Sequence, residues 1–512
     1  MFDSTSFSTL IHAKQVIIAS NRGPFEFYLT RDNQLEYRRG PGGLVTALTA
    51  VAKLMNATWI AMAMTEGDRQ VSKTVQQENG RFIPLFGQDQ NLKLRYVSIT
   101  EKAYRKYYEK ISNELLWFTH SYIYEIAKEL TSEQEVADAW TNGYCVANQA
   151  IAEAIVTEIS QDEQRTVILL QDCFLFLVSS MIRSSHPKVL IQQFLHWPWP
   201  DIRYWCFLPS YITQAIYQGL AGNDIIGFQT RRDMRNFLDG ASAMLEGAVV
   251  DFEKEIIWYQ GRSILVRTYP VSISIEDEFR IIQSEEGQQE TRKIHSFLHK
   301  KIIMRVDRLD PIKNIIRGFQ AYAQILDNHP EFLNEVVFLA FLVPTRENAA
   351  VYRHYSVDVS KIIEDINNKY GSDEWKPIHA WFGNNRVRAL AALQFYDVLL
   401  VNPIIESMNL VAKEGSVLNQ RDGVLVLSRN AGSFMQLGKV CLPVSPTNTN
   451  ETAQALYEGL TMPQEERQTR SRQARMIVEN YSLHTWLLQQ IQDINQLLDT
   501  VKFDHTRDSK FL

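Results

Sequence analysis

Short apolar, β-prone runs recur along the whole chain, separated by longer stretches in which apolar positions return at helical spacing. KQVIIAS, ATWIAMAM, RTVILLQD, KVLIQQFLH and DIIGFQT fall in the first half, and KKIIMRV, EVVFLAFLV, DVLLVNP and GVLVLS in the second. Alternation of this kind predicts parallel sheets covered by helices on both faces, and two such series predict two α/β layers. Between the series lies GRSILVRTYPVSISIEDEFR, residues 261–280, followed by a polar helical stretch, so the hinge is placed near 268–280. The expected organisation is an N-terminal domain over 1–270, a C-terminal domain over 271–483, and a helix with a tail over 484–512. In HTWLLQQIQDINQLL, Leu487, Ile491, Ile494 and Leu498 share one helical face, the spacing of a helix packed on a core. Two facing α/β domains put a ligand cleft at the carboxyl ends of their strands, so informative residues should follow strands.

Composition narrows this picture without changing it. A chain of 512 residues exceeds what one core usually supports, and 45% hydrophobic with 22% charged residues is ordinary for a globular protein. The formal net charge of −6 argues against a broad nucleic-acid-binding face, so any anion must be met locally. Cys145, Cys173, Cys206 and Cys441 are far apart with no CxxC spacing, which excludes a disulfide framework or thiolate metal site as the first reading and fits a reducing compartment. No basic leader precedes an apolar core in MFDSTSFSTLIHAKQVII, and no run approaches membrane-spanning length. The chain reads as cytoplasmic, with no membrane or nucleic-acid partner.

Four stretches could carry chemistry. In GPGGLVTAL, Gly40, Gly42 and Gly43 precede an apolar helical pattern; they make either a tight turn or a loop whose backbone N–H groups hold a phosphate. It is neither a P-loop nor a GxGxxG. In KKIIMRVDRLDPIKNIIRGF, Arg308 and Lys313 follow a strand, as solvated cations or as a clamp for a diphosphate; Asp307 and Asp310 beside them and the stiffening Pro311 weaken the solvated reading without closing it. VNPIIESMNLVAKEG runs from strand to helix with Met408, Asn409 and Leu410 at the helix start and Glu414 one turn in. That carboxylate is either exposed or an acceptor for two ribose hydroxyls. FLHWPWPDIRYW puts His196 after a strand, before a proline-fixed extended loop with Trp197 and Trp199 as aromatic walls that suit a sugar. His196 itself is structural or catalytic on this reading.

Taken in order, ASNRGPFEF, GPGGLVTAL, YYEKISNELLWFTH, LLQDCFL, FLHWPWP, IIGFQTRRDMRNFL, VDRLDPIKN, VPTREN, MNLVAKEG and LSRNAGSF resemble the motif series of the trehalose-phosphate synthase family, glycosyltransferase family 20. The resemblance covers nearly all of residues 14–500. It implies a GT-B fold of two facing Rossmann-like domains with parallel sheets and a cleft between them. It implies retaining transfer of glucose from a nucleotide-glucose to glucose 6-phosphate, with no metal ion or other cofactor.

By the same resemblance, Arg308 and Lys313 hold the donor diphosphate, and His196 touches the donor sugar; these three are the catalytic candidates. Donor binding falls to Gly42, Gly43, Glu406, Met408, Asn409, Leu410, Val411 and the ribose carboxylate Glu414. Acceptor binding falls to Arg22 and Arg346 on the phosphate, with Trp59, Tyr108, Trp117 and Asp172. Arginines suit a dianionic phosphate, aromatics a sugar face, and a carboxylate hydroxyls. Two places depart from the family. Glu406-Ser407 stands where Asp-Gly is usual, and Gln171-Asp172-Cys173-Phe174-Leu175 keeps only the Asp of the usual His-Asp-Tyr-His-Leu. Alternatives within the family are a glucosylglycerol-phosphate synthase and a cyclitol-coupling pseudo-glycosyltransferase; outside catalysis, a silent sugar-phosphate-binding regulator. The nucleotide base and the oligomeric state, a homo-oligomer included, are left open.

Overall fold

The computed structural model describes residues 11–30, 32, 34–40, 48, 49, 52, 53, 55–78, 80–83, 85, 92–123, 132–347 and 349–508. The chain divides into two compact units, one comprising Met1–Tyr269 with Leu487–Leu512 and the other Pro270–Trp486.

The first unit contains β1 (Gln15–Ser20), β2 (Phe25–Leu29), β3 (Leu35–Arg39), β4 (Thr58–Met62), β5 (Lys93–Val97), β6 (Thr166–Gln171), β7 (Leu190–Leu195), β8 (Ile225–Phe228), β9 (Val249–Asp251), β10 (Ile256–Tyr259) and β11 (Arg262–Thr268). Nine of these form one sheet in the order β5-β4-β1-β6-β7-β8-β11-β10-β9, while β2 and β3 pair as a hairpin. Every pairing from β5 to β11 is parallel; β10 pairs antiparallel with both β11 and β9. The fully buried runs TWIAM, TVILLQ and LIQQFL form strands because helices cover both faces, leaving no solvent side that would impose alternation. β1 lies between β4 and β6, so the strand order reverses there.

The second unit contains β12 (Lys301–Arg308), β13 (Val336–Val343), β14 (Ile378–Phe382), β15 (Val398–Val401), β16 (Val424–Ser428) and β17 (Leu442–Val444). They form a six-stranded parallel sheet in the order β14-β13-β12-β15-β16-β17. Here the order reverses at β12, flanked by β13 and β15. Each of the nine runs read from the sequence is a strand.

The C-terminal helix, Leu483–Asp508, returns to the first unit for most of its length. Leu487, Ile491, Ile494 and Leu498 are buried on one face, as their spacing predicts. Polar pairs fix its register: Gln192 Nε2 donates to Gln490 Oε1 at 2.7 Å, Tyr269 OH to Asp493 Oδ2 at 2.5 Å, and His12 N to Asn495 Oδ1 at 2.9 Å. Among the described residues no helix is long and apolar enough to cross a membrane.

Candidate active site

In open parallel sheets, ligands gather beyond the carboxyl ends of the strands where the order reverses, because loops on either side part there. In the second unit that place is the end of β12. Arg308 is its last residue, and Leu309 N donates to Val343 O at 2.8 Å to continue the pairing. Asp310 caps the short turn Pro311–Lys313, accepting from Ile312 N at 3.2 Å. Asn314 ends the turn in the left-handed region, φ 58°, and its Nδ2 donates to Asn402 O and Pro446 O at 3.0 and 2.6 Å. Asn tolerates that conformation better than other residues with a side chain, so the loop carrying Lys313 is fixed by chemistry legible in PIKN.

Lys313 is 92% buried, and its Nζ lies 2.5 Å from Glu406 Oε1 and 3.7 Å from Asp307 Oδ1 (side-chain exposure 8%). Behind it, Arg305 is wholly buried, with Nε and Nη2 on Asp307 Oδ2 at 3.1 and 2.8 Å, Nη2 on Lys313 O at 3.0 Å and Nη1 on Ile315 O at 3.2 Å. A Cβ at Gly318 would stand 2.4 Å from Arg305 Nη1, so only glycine leaves room for this guanidinium. Burial pushes the Asp307 carboxyl up, against the pull of Arg305 and Lys313.

Glu406 follows β15 and ties the turn to the next helix. Asn409 Nδ2 donates to Glu406 Oε2 at 2.9 Å, while Asn409 Oδ1 caps the helix Leu410–Leu418 by accepting from Ala412 N at 2.8 Å. Met408, Leu410 and Val411 are half-buried around that helix start. One turn in, Glu414 faces Arg386, whose Nη2 reaches Glu414 Oε1 at 3.2 Å and Glu278 Oε1 at 2.5 Å. Burial and then the neighbouring Glu278 push the Glu414 carboxyl up to about 7, against the attraction of Arg386. Arg346 follows β13 with a left-handed backbone, φ 48°; its Nη1 donates to Asp310 Oδ2 at 2.9 Å and Tyr352 OH at 3.1 Å. A residue with a side chain held there is strained, a feature that concentrates at functional sites.

The first unit gathers its candidates by the same rule. Beyond β1, Arg22 Nη1 sits 3.0 Å from Glu26 Oε1, a carboxylate whose other oxygen meets Arg38 at 3.2 Å. Trp59 lies wholly buried in β4; its Nε1 donates to Ser20 Oγ at 2.8 Å, which in turn donates to Arg22 O at 2.7 Å. Trp59 therefore steadies the backbone that carries Arg22. Beyond β6, Asp172 has φ 69° and ψ −177°, a region nearly restricted to glycine, and its N donates to Phe194 O at 2.7 Å. Burial pushes its carboxyl up to about 6, opposed by the N–H groups of His196, Cys173 and Trp197.

His196 follows β7, with its backbone N donating to Asp172 Oδ1 at 3.2 Å. Its ring lies between two amides: Gln229 Nε2 donates to Nδ1, and Nε2 carries the proton and donates to Gln171 Oε1, both at 3.2 Å. Burial pushes the imidazole down to about 3, so it is neutral at ordinary pH. Gln171 thus holds His196. An aromatic run joins two further candidates: Tyr108 stacks on Phe174 at 6.0 Å, Phe174 meets Trp197 at 5.3 Å, and Trp197 meets Trp117 at 4.9 Å.

The expectation of Trp197 and Trp199 as sugar-facing walls is corrected by their packing. Trp199 is wholly buried against Trp205, Tyr217 and Phe237, its Nε1 donating to Tyr217 OH at 3.0 Å, and Trp197 is nearly so. A proline-flanked tryptophan reads the same whether its ring turns outward or into the core. Gly42 and Gly43 lie outside the described residues. Arg305, Glu278, Arg386 and Gln229 were not singled out by sequence reading; only Arg305, two residues before the Asp of VDRLD, carried any local signal. Among the described residues no group of three or more His, Cys, Asp or Glu side chains is placed to hold a metal ion.

Comparison with solved structures defines the class first. A structure from E. coli bound with UDP-2-fluoro glucose matches with a TM-score of 0.81 at 23% identity, covering 94% of this chain and 99% of that one. An alpha,alpha-trehalose-phosphate synthase (UDP-forming) from Burkholderia xenovorans, in complex with glucose-6-phosphate, matches at 0.78 and 24%, covering 94% and 99%. The fold is that of the GT-B glycosyltransferases, built from Rossmann-like units with parallel sheets. Among sequences, the alpha,alpha-trehalose-phosphate synthase [UDP-forming] of Schizosaccharomyces pombe is 28% identical over 485 residues, 93% of this chain and 89% of that protein. The pattern of glycosyltransferase family 20 matches residues 14–496, and the protein belongs to that family.

Proposed function

We propose that this enzyme transfers glucose, with retention, from a nucleotide-glucose to glucose 6-phosphate, giving α,α-trehalose 6-phosphate. The observation that carries the reading is the fixed turn Pro311–Lys313 that follows Arg308 at the end of the reversal strand and carries Lys313. Two cations there meet a diphosphate leaving group as its charge develops, and in this reading they take the part a metal ion would otherwise play. Glu414, on the same unit, takes the ribose hydroxyls. On the first unit, Arg22 takes the acceptor phosphate and the half-buried Tyr108 the acceptor sugar, while Trp117 packs in the core. His196, neutral and hydrogen-bonded through both ring nitrogens, is not poised to accept a proton. That suits a reaction in which a departing diphosphate oxygen takes the acceptor's proton on the face from which it leaves. The nucleotide sugar is then a substrate and no cofactor is needed; the enzyme works in the cytoplasm.

The test is incubation with UDP-, GDP- or ADP-glucose, each with glucose 6-phosphate or glycerol phosphate, reading nucleoside diphosphate release and product mass. A disaccharide phosphate from one pair supports the synthase and names its donor. Turnover of glycerol phosphate alone overturns it in favour of the glucosylglycerol-phosphate reading, and binding of donor without product favours the regulator.

Donor binding should depend on pH through Glu414. Folded, this carboxyl keeps its proton to about 7, above its ordinary value, so the native state binds more protons than the unfolded chain in that window. Its contribution to stability therefore falls as pH rises from the ordinary carboxylate range to about 7. An ionised carboxylate accepts hydroxyls better, so donor KM should fall as pH rises from about 6 to about 8. Because Arg386 pulls the carboxyl down, Arg386→Met should move the midpoint to higher pH. Donor KM across that range, measured for both proteins, checks this; identical profiles would remove Arg386 from the account.

A further inference from the structure

Glu406 closes its carboxylate on the buried Lys313 at 2.5 Å. We propose that Glu406 determines how tightly this enzyme holds a nucleoside diphosphate: its carboxylate occupies Lys313 in the free protein, and the diphosphate binds by exchanging with it. The inference rests on the reading of Lys313 as a diphosphate ligand.

A buried ammonium needs a counter-charge, and of the two carboxylates beside Lys313, Asp307 is the farther, at 3.7 Å, and already accepts two hydrogen bonds from Arg305. Glu406, at 2.5 Å, is the partner that matters. It is no wandering surface side chain. Its side chain is 16% exposed, Asn409 Nδ2 holds the second oxygen at 2.9 Å, and its backbone is pinned on both sides. Glu406 N donates to Asn430 O at 3.2 Å, and Gly432 N donates to Glu406 O at 2.8 Å.

The two cations Arg305 and Lys313 are thus balanced by the two anions Asp307 and Glu406 before any ligand arrives. An incoming diphosphate finds Arg308 exposed but Lys313 already neutralised, with Glu406 as a like charge at the point of contact. Either the carboxylate gives up Lys313 and rests on Asn409 alone, or the two anions share one ammonium; both cost affinity. The same contact eases departure, since Glu406 re-forms its pair as the diphosphate leaves. A shorter aspartate would reach Lys313 less closely, and an amide would leave the lysine's charge uncompensated.

The test is calorimetric titration of UDP, GDP and ADP, which lack the sugar, into the wild-type protein, Glu406→Gln and Glu406→Asp. Using nucleoside diphosphate alone separates this effect from any contact Glu406 makes with the donor glucose. The nucleotide that binds wild type should bind Glu406→Gln about tenfold more tightly and with a steeper salt dependence. Glu406→Asp should fall between. Equal or weaker binding by a Glu406→Gln protein with a wild-type melting curve overturns the proposal. If that variant does not fold, Glu406→Asp decides by the same comparison. Failure of all three nucleotides to bind any form overturns the glycosyltransferase reading and this inference together.

Discussion

Arg308→Ala lowers turnover by about 10²–10³-fold while leaving stability within about 0.5 kcal/mol of wild type. The two halves of this expectation have separate causes. Arg308 is the last residue of β12 and exposed, so its removal opens no cavity in the core. In the proposed reaction its guanidinium would fork onto two oxygens as negative charge gathers on the leaving diphosphate, an interaction stronger in the transition state than in the ground state. The loss should fall on kcat more than on donor KM. Arg308→Lys keeps the charge but loses the fork and should recover only part of the rate. Steady-state kinetics with a thermal melt checks all of this: normal turnover in a folded Arg308→Ala protein would end the diphosphate assignment.

Arg305→Met should act in the opposite manner, destabilising the second unit by about 3–5 kcal/mol. Arg305 is wholly buried, and it gives Asp307 two charge-assisted hydrogen bonds while also holding the carbonyls of Lys313 and Ile315. Methionine fills much of the volume and satisfies none of these groups. Asp307 would remain buried, with Lys313 3.7 Å away. Arg305→Met with Asp307→Leu removes the stranded carboxylate and should regain part of the loss, since replacing both members of a buried pair is far less damaging than breaking it. Urea unfolding of the three proteins reads the effect. A single variant within about 1 kcal/mol of wild type would mean that Arg305 is not the counter-charge described.

Three of the strands that sequence reading did not single out share a physical cause. β5, KLRYV, and β14, IHAWF, are edge strands, only partly buried, so their runs are broken by polar residues. β17, LPV, is a three-residue edge strand that tolerates a proline because one side needs no donor. Central strands such as β13, VVFLAFLV, are buried almost throughout and therefore announce themselves.

At the site the division is similar. Arg308, Lys313 and Asn409 follow apolar runs and carry local signatures: a proline-stiffened turn and a capped helix start. Glu278 and Arg386 are 108 residues apart, and neither sits in a motif, yet one nitrogen of Arg386 joins Glu278 to Glu414. Trp199 shows the reverse case, a conspicuous side chain that the core absorbs.

By itself, then, the sequence determined two parallel α/β units, the family, and the loops that bear the charged residues. Apolar runs and turn residues act on their chain neighbours and survive as local pattern. Only the tertiary structure decided which of those charges are already answered: Lys313 by Glu406, Arg346 by Asp310, Glu414 by Arg386. The strength of such a pair depends on separation and burial, and both are set by strands and loops that meet only when the chain has folded.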